Sequence, residues 1–176
     1  MKVESSLLWE ALKNASLFAR EKSINSGEVQ FSIKDETLTV TSSDGFIGIA
    51  VEAPALGNPD DTFYLQTKEV KALERQLREY PSGPIKVAGA PESQDPWFWD
   101  DFGELMQRIR SEKLKQIETW ACNPERLSML SRLEPKGQYP LVWESVSVGP
   151  DHYWRFKYGP NTFGVLVPLD EIEIGE

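Results

Sequence analysis

The chain has little thiol or imidazole chemistry to draw on. Its 176 residues include one cysteine, Cys122, and one histidine, His152. A lone thiol excludes an internal disulfide, and one Cys with one His falls short of a zinc ligand set. A Ser–His–Asp or Cys–His centre would have to use His152, which lies in the turn-like run Gly149-Pro-Asp-His152. Gly-x-Ser-x-Gly, Gly-x-Gly-x-x-Gly and Walker signatures are all missing, so nothing points to a catalytic centre or to a cofactor. Cations are also scarce: 19 Lys and Arg face 28 Asp and Glu, a formal charge of -9. That balance excludes a protein that coats nucleic acid with its whole surface, while leaving room for a local basic face. No apolar run is long enough to span a bilayer. The start, Met1-Lys-Val-Glu-Ser-Ser6, lacks the apolar core of a signal peptide. A cytoplasmic protein without membrane contact is the expectation.

Hydrophobic residues at 40% and charged residues at 27% are an ordinary globular balance. Ser6 is placed to cap a helix from Leu7 to Ala19, with Leu8, Leu12, Ala15 and Ala19 on one face. Val29–Ile33, Thr37–Thr41 and Phe46–Val51 read as three strands, joined at Lys34-Asp-Glu36 and Ser43-Asp-Gly45. The pattern then restarts. Thr62–Gln66 is a strand, Thr67 a cap, Lys68–Tyr80 a helix that ends at Pro81-Ser-Gly-Pro84, and Ile85–Ala88 a strand. Residues 89–115 read as an acidic, aromatic linker with an amphipathic helix over Phe102, Leu105, Met106 and Ile109. A third unit follows: a strand at Gln116–Cys122, a cap-and-first-turn pair at Asn123-Pro124, and a short helix carrying Leu127, Leu130 and Leu133. Strands at Leu141–Val148, Tyr153–Tyr158 and Thr162–Val167 complete it, and residues 170–176 form an acidic tail. Phe63–Leu77 aligns with Thr119–Leu133 without gaps, Thr67 on Asn123 and Leu77 on Leu133, which suggests an internal repeat.

Three stretches carry a family likeness. Met1-Lys-Val…Leu8…Ala11-Leu12 with Glu36-Thr-Leu-Thr-Val-Thr-Ser-Ser-Asp44, then Phe63-Tyr-Leu-Gln-Thr-Lys-Glu-Val70…Leu73, then Asn123-Pro-Glu-Arg-Leu127 through Val165-Leu-Val-Pro-Leu169 resemble the half-domains of DNA sliding clamps, the processivity factors of replicative polymerases. The resemblance covers residues 1–88 and 116–169 and leaves 89–115 without a counterpart. It implies an α+β fold of strand–helix–three-strand halves, antiparallel sheets with helices on one face. A clamp-like domain would occupy 1–88, a linker 89–115 and a terminal half-domain 116–169. Bacterial clamps use three full domains per subunit, and 176 residues allow fewer, so a shortened, divergent clamp is implied, phage-encoded or otherwise. The resemblance further implies a homo-oligomer on duplex DNA, held through phosphates, that tethers a DNA polymerase and carries no catalytic residues or metal.

A clamp needs a helix with a basic stripe opposite its apolar one. At about 100° per residue from Lys68, Lys71 falls near ~300°, Arg75 near ~340° and Arg78 near ~280°, against ~140–200° for Val70, Leu73 and Leu77. Lys68, Lys71, Arg75 and Arg78 are therefore the expected phosphate contacts, diluted by Glu74 and Glu79, with Lys13 and Arg20 second. Arg108, Arg110, Lys113 and Lys115 join them only if their helix faces inward. Trp97, Phe98 and Trp99 either plug the core or bind a protein partner; the latter use alone would make the chain an interaction module on a clamp-derived scaffold. Trp154, Phe156 and Tyr158 alternate onto one strand face, which is core or else a stacking surface for single-stranded DNA. Asp60-Asp61 and Asp100-Asp101 are adjacent acids that point apart. Asp100, Asp101 and Glu104 suit the first turn of a helix better than a Mg²⁺ site.

Overall fold

The computed structural model describes residues 2–19, 27–56, 61–79, 83–111 and 124–168. Strand β1, Lys2–Glu4, runs directly into helix α1, Ser5–Phe18. The expected apolar stripe is buried, Leu8, Leu12 and Ala15 joined by Ala11 and Phe18. Ser6 is not the cap. It lies inside the helix and its hydroxyl donates to the Glu4 carboxylate (2.9 Å), while Glu4 holds the N-cap position without accepting a capping bond from a backbone N–H. Strands β2 (Glu28–Lys34), β3 (Thr37–Ser43) and β4 (Ile47–Leu56) form the expected meander. In its first turn both Asp35 and Glu36 have positive φ, 48° and 58°, the primed hairpin conformation that matches strand twist. In its second, Asp44 Oδ1 accepts from the backbone N–H of Phe46 and of Ile47, both at 3.0 Å.

Strand β5 (Thr62–Gln66) leads into α2 (Thr67–Glu79). Thr67 is the first helical residue rather than the cap, and its hydroxyl donates to the Gly27 carbonyl. Half of a capping box survives: Glu69 reaches back and accepts from the Gln66 N–H at 2.8 Å. After β6 (Pro84–Lys86) comes α3, Pro96–Ser111. It starts earlier than the linker reading expected, with Pro96 at its first position and Trp97–Trp99 in its first turn. Helix α4 (Pro124–Leu130) and strands β7 (Leu141–Val148), β8 (Asp151–Tyr158) and β9 (Thr162–Leu166) end the described chain. The strand expected at 116–122, the cap Asn123, Arg20, Lys113, Lys115 and the tail 170–176 lie outside the described residues.

The main sheet runs β5-β2-β3-β4-β9-β8-β7, all antiparallel. β1 pairs with the far end of β4 and with β6. At the centre, Ile47 to Val51 of β4 pair with Leu166 to Thr162 of β9. The two meanders thus meet last strand to last strand, in mirrored order.

Alternation on β4 decides the layers. Ile47, Ile49, Val51 and Ala53 face a core filled by α1, α2 and α4, with Leu8, Phe18, Val70, Leu77, Met129 and Phe156. Ala50 faces a second core, where Val146, Val148, Phe163 and Val165 meet Trp99, Phe102, Met106 and Ile109 of α3. The α+β antiparallel fold stands as expected, but the helices are not all on one face: α3 covers the other, giving three layers. Each large apolar side chain so buried contributes about 1.5–3 kcal/mol.

Two buried charges fasten α3. Glu28, 2% exposed, accepts from the Gln94 N–H (2.9 Å), Trp99 Nε1 (3.2 Å), Gln66 Nε2 (3.4 Å) and the Ser93 hydroxyl. At the other end Arg155 donates from Nη1 to the carbonyls of Ile109 (2.8 Å) and Arg110 (3.2 Å), and from Nε to Glu144 (2.7 Å). It thereby caps the helix C-terminus with a cation. On the opposite layer, buried Asn14 exchanges two bonds with the backbone of Glu134, at 3.0 and 2.7 Å, and ties α1 to the segment after α4. Glu10 of α1 sits close enough to Glu134 that burial first, then this neighbour's charge, raises its pKa above 4.5.

Two outcomes follow from this packing. A Cβ on Gly48 would stand 2.2 Å from Phe102 Cζ, whereas one on Gly164 would meet both Phe156 Cζ at 2.1 Å and the Gly48 carbonyl oxygen at 2.5 Å. Gly48→Ala should cost about 1–3 kcal/mol in urea denaturation and be partly rescued by Phe102→Leu. Gly164→Ala should cost more and resist rescue by a smaller residue at 156, because backbone is in the way. The second outcome concerns Glu10. A carboxyl whose pKa is raised on folding contributes stability below its ordinary value near 4.5 and loses it as pH rises through the folded value. Glu10→Gln should therefore raise the denaturation midpoint at pH 7, and the gain should vanish when the measurement is repeated at pH 3.

Candidate nucleic-acid interface

Helix α2 packs beside α1 through Val70, Leu77 and half-buried Leu73, which turns its opposite side to solvent. Lys68, Lys71, Arg75 and Arg78 are all exposed there, and no carboxylate among the described residues pairs with any of them. Two of the acids that dilute the helix are drawn away. Glu69 is engaged with the Gln66 N–H. Glu74 turns toward α1, where Oε1 lies 3.4 Å from Lys13 Nζ and Oε2 accepts from the Ser16 hydroxyl at 3.4 Å. Glu79 alone stays exposed beside the stripe. Lys13 thus sits at the α1–α2 seam, next to the four cations but partly neutralised. Arg20 lies outside the described residues.

Three other arginines, Arg126, Arg110 and Arg108, do not extend this surface. Arg126 of α4 lies over the Phe46 ring at 4.2 Å with Nε 3.4 Å from Asp44 Oδ2, so it locks α4 to the β3–β4 turn. Arg110 pairs with Glu52 and covers the Phe163 ring at 5.1 Å. With Arg108 it belongs to α3, on the layer away from α2, so these two do not join the α2 stripe.

The aromatic candidates separate. Phe156 is fully buried and Tyr158 nearly so, with Trp154 against Trp143 beside them. The face proposed to stack single-stranded bases is core, and the single-strand reading loses its surface. On the other side of β8, Arg155 lies under α3. Within α3, Trp99 is 2% exposed and half-buried Phe98 stacks on Phe102, whereas Trp97 is 80% exposed. The three do not form one surface: Trp99 is in the core, Phe98 reaches solvent only in part, and Trp97 is presented.

The acids of α3 also fall differently from the expectation. The helix begins at Pro96 and its first turn holds no acid, so Asp100, Asp101 and Glu104 lie beyond the turn where the helix dipole acts. Among the described residues no group of three His, Cys, Asp or Glu is set to hold a metal. His152 Nδ1 lies 2.8 Å from the Ser147 hydroxyl as a cross-strand pair, and among the described residues no carboxylate bonds to the ring. The buried roles of Glu28 and Arg155 escaped sequence reasoning. One opens a strand and the other alternates onto what reads as a solvent face with Lys157. Among the described residues, no helix is long and apolar enough to cross a membrane.

No family model matches the chain, and no curated protein sequence matches it. Solved structures do. The DNA polymerase III beta subunit of Thermotoga maritima matches with a TM-score of 0.66 at 13% identity, over 97% of this chain and 65% of that one. The DNA polymerase III subunit beta of Borrelia burgdorferi, in complex with a natural product, gives 0.60 at 12% identity, over 97% and 64%. The DNA polymerase sliding clamp of Bacillus subtilis gives 0.57 at 13% identity, over 96% and 64%. The chain spans just under two thirds of the length of these proteins, and the likeness at such identity is one of architecture: this chain has the fold of the DNA sliding clamps.

Proposed function

We propose that the chain is a non-catalytic, clamp-like processivity factor. It assembles with copies of itself, lies along duplex DNA through α2 and tethers a DNA polymerase. The observation that carries this reading is the set of four exposed cations on α2, none paired with a carboxylate among the described residues, borne on a fold shared with sliding clamps. Lys68, Lys71, Arg75 and Arg78 present flexible ammonium and guanidinium groups to solvent, which suits phosphates and reads no bases. Lys13 and Arg20 are secondary contacts. The overall charge of -9 does not oppose this arrangement. Acid elsewhere on the surface repels the duplex from other faces and is screened within about 8–10 Å at physiological salt, whereas the α2 stripe acts at contact distance. For the polymerase, an apolar cleft of about 410 Å³ between α4 and β7, lined by Leu127, Leu130, Tyr139 and Leu141, is a concave surface able to take a short hydrophobic segment.

Fluorescence anisotropy with a labelled duplex tests the DNA contact. Four neutralised phosphates give a slope of about −3.6 in log K against log salt, roughly a hundredfold loss between 50 and 200 mM. Reversing Lys71, Arg75 and Arg78 to Glu should abolish binding with the fold retained; binding absent beforehand, or unchanged afterwards, sinks the DNA reading. Assembly is tested by size-exclusion chromatography with light scattering. A defined oligomer is expected, and a strict monomer at high concentration removes the ring.

A further inference from the structure

Trp97 needs an explanation that neither the core nor the α2 surface supplies. It is 80% exposed, the most exposed large apolar side chain among the described residues, yet it stands on a rigid turn. Its neighbour Phe98 stacks on Phe102 at 5.5 Å between ring centroids, and Trp99 is edge-on to both and donates to buried Glu28. Asp95 Oδ1 accepts from the Phe98 N–H at 3.3 Å and steadies the entry to the helix. The indole is therefore displayed by a pre-organised support, which lowers the ordering entropy lost on binding. Asp100, Asp101 and Glu104 follow it at helical spacings that keep them on the outward side. All three are exposed, and none pairs with a cation among the described residues. The dipole does not account for them, since the first turn is free of acid.

We propose that this outward face of α3 is a docking surface for an arginine-rich segment of a protein partner. Guanidinium groups fit both halves of it. They stack on an indole face, and they pair with carboxylates in a forked geometry. Nothing in residues 89–104 opposes them, because that stretch holds five acids, Glu92, Asp95, Asp100, Asp101 and Glu104, and no base. The surface lies on the layer away from α2, so one molecule can hold the partner and a duplex at once, and the inference stands independently of the DNA reading.

Isothermal titration calorimetry of the full chain with a short oligo-arginine peptide at physiological salt tests it. Saturable binding is expected. Trp97→Ala should weaken it about tenfold, as should Asp100→Asn with Asp101→Asn and Glu104→Gln. Because the Trp97 side chain is exposed, its removal should leave the melting temperature unchanged, and reversal of the α2 cations should leave peptide affinity undiminished. No saturable binding overturns the proposal. Equal affinity in Trp97→Ala also overturns it, assigning the attraction to net charge alone. Self-association of the native chain that disappears in Trp97→Ala overturns it in favour of a second copy as the occupant.

Discussion

The pairing of β4 with β9 is the constraint on which the rest depends. β4 lies at the middle of the sheet, holds β3 on one edge and β9 on the other, and along Ile47–Val51 is buried on both faces. A stretch in that position cannot alternate apolar with polar, as a half-exposed strand does. It carries Ile47, Ile49 and Val51 toward one core and Gly48 and Ala50 toward the other. The small residues let the Phe102 ring of α3 lie on bare backbone, and the large ones fill the space under α1. Both layers are therefore referred to one strand, and the register with β9 sets where the second meander can stand.

From this frame the charges sort themselves without any patterning in the overall composition. The layer built on α1 and α2 puts cations without a carboxylate partner among the described residues into solvent, while Glu74 is engaged at the seam and Glu69 at the helix start. The layer built on α3 does the reverse. Its C-terminal end is held by contacts, Arg110 with Glu52 and the carbonyls of Ile109 and Arg110 with Arg155, and its acidic end is left to solvent. A chain with an excess of nine acids thus offers chemically different surfaces on opposite sides of one sheet.

How legible this was depends on whether the signal was local. β7, β8 and β9 could be read closely because alternation is bounded by Gly149-Pro150 and Gly159-Pro160, and the turn residues stop each strand within a residue or two. The α2 stripe was legible because a helix exposes a fixed angular sector once its apolar side is known. The start of α3 was not. Three consecutive aromatics have no helical period, and only their burial on different sides, Trp99 inward and Trp97 outward, shows them to be one turn. Ser6 misled for a related reason: it is a good cap by type, but β1 leads into α1 so directly that the cap position falls on Glu4. That α3 crosses to the far face could not be read at all, since it rests on Gly48, Glu28 and Arg155, residues remote in sequence from the helix they hold.

The β4–β9 contact also orders events in time. During synthesis β4 is made before its central neighbour β9, which follows three further helices and four further strands among the described residues. Until then the edge that β9 will occupy is open along Ile47–Val51, and the face that α3 will cover has only part of its floor. Closing a loop of that size is slow compared with local helix or hairpin formation. The nascent chain therefore carries an unpaired apolar edge from the time β4 is made until β9 follows it, an interval in which such an edge is open to wrong pairing.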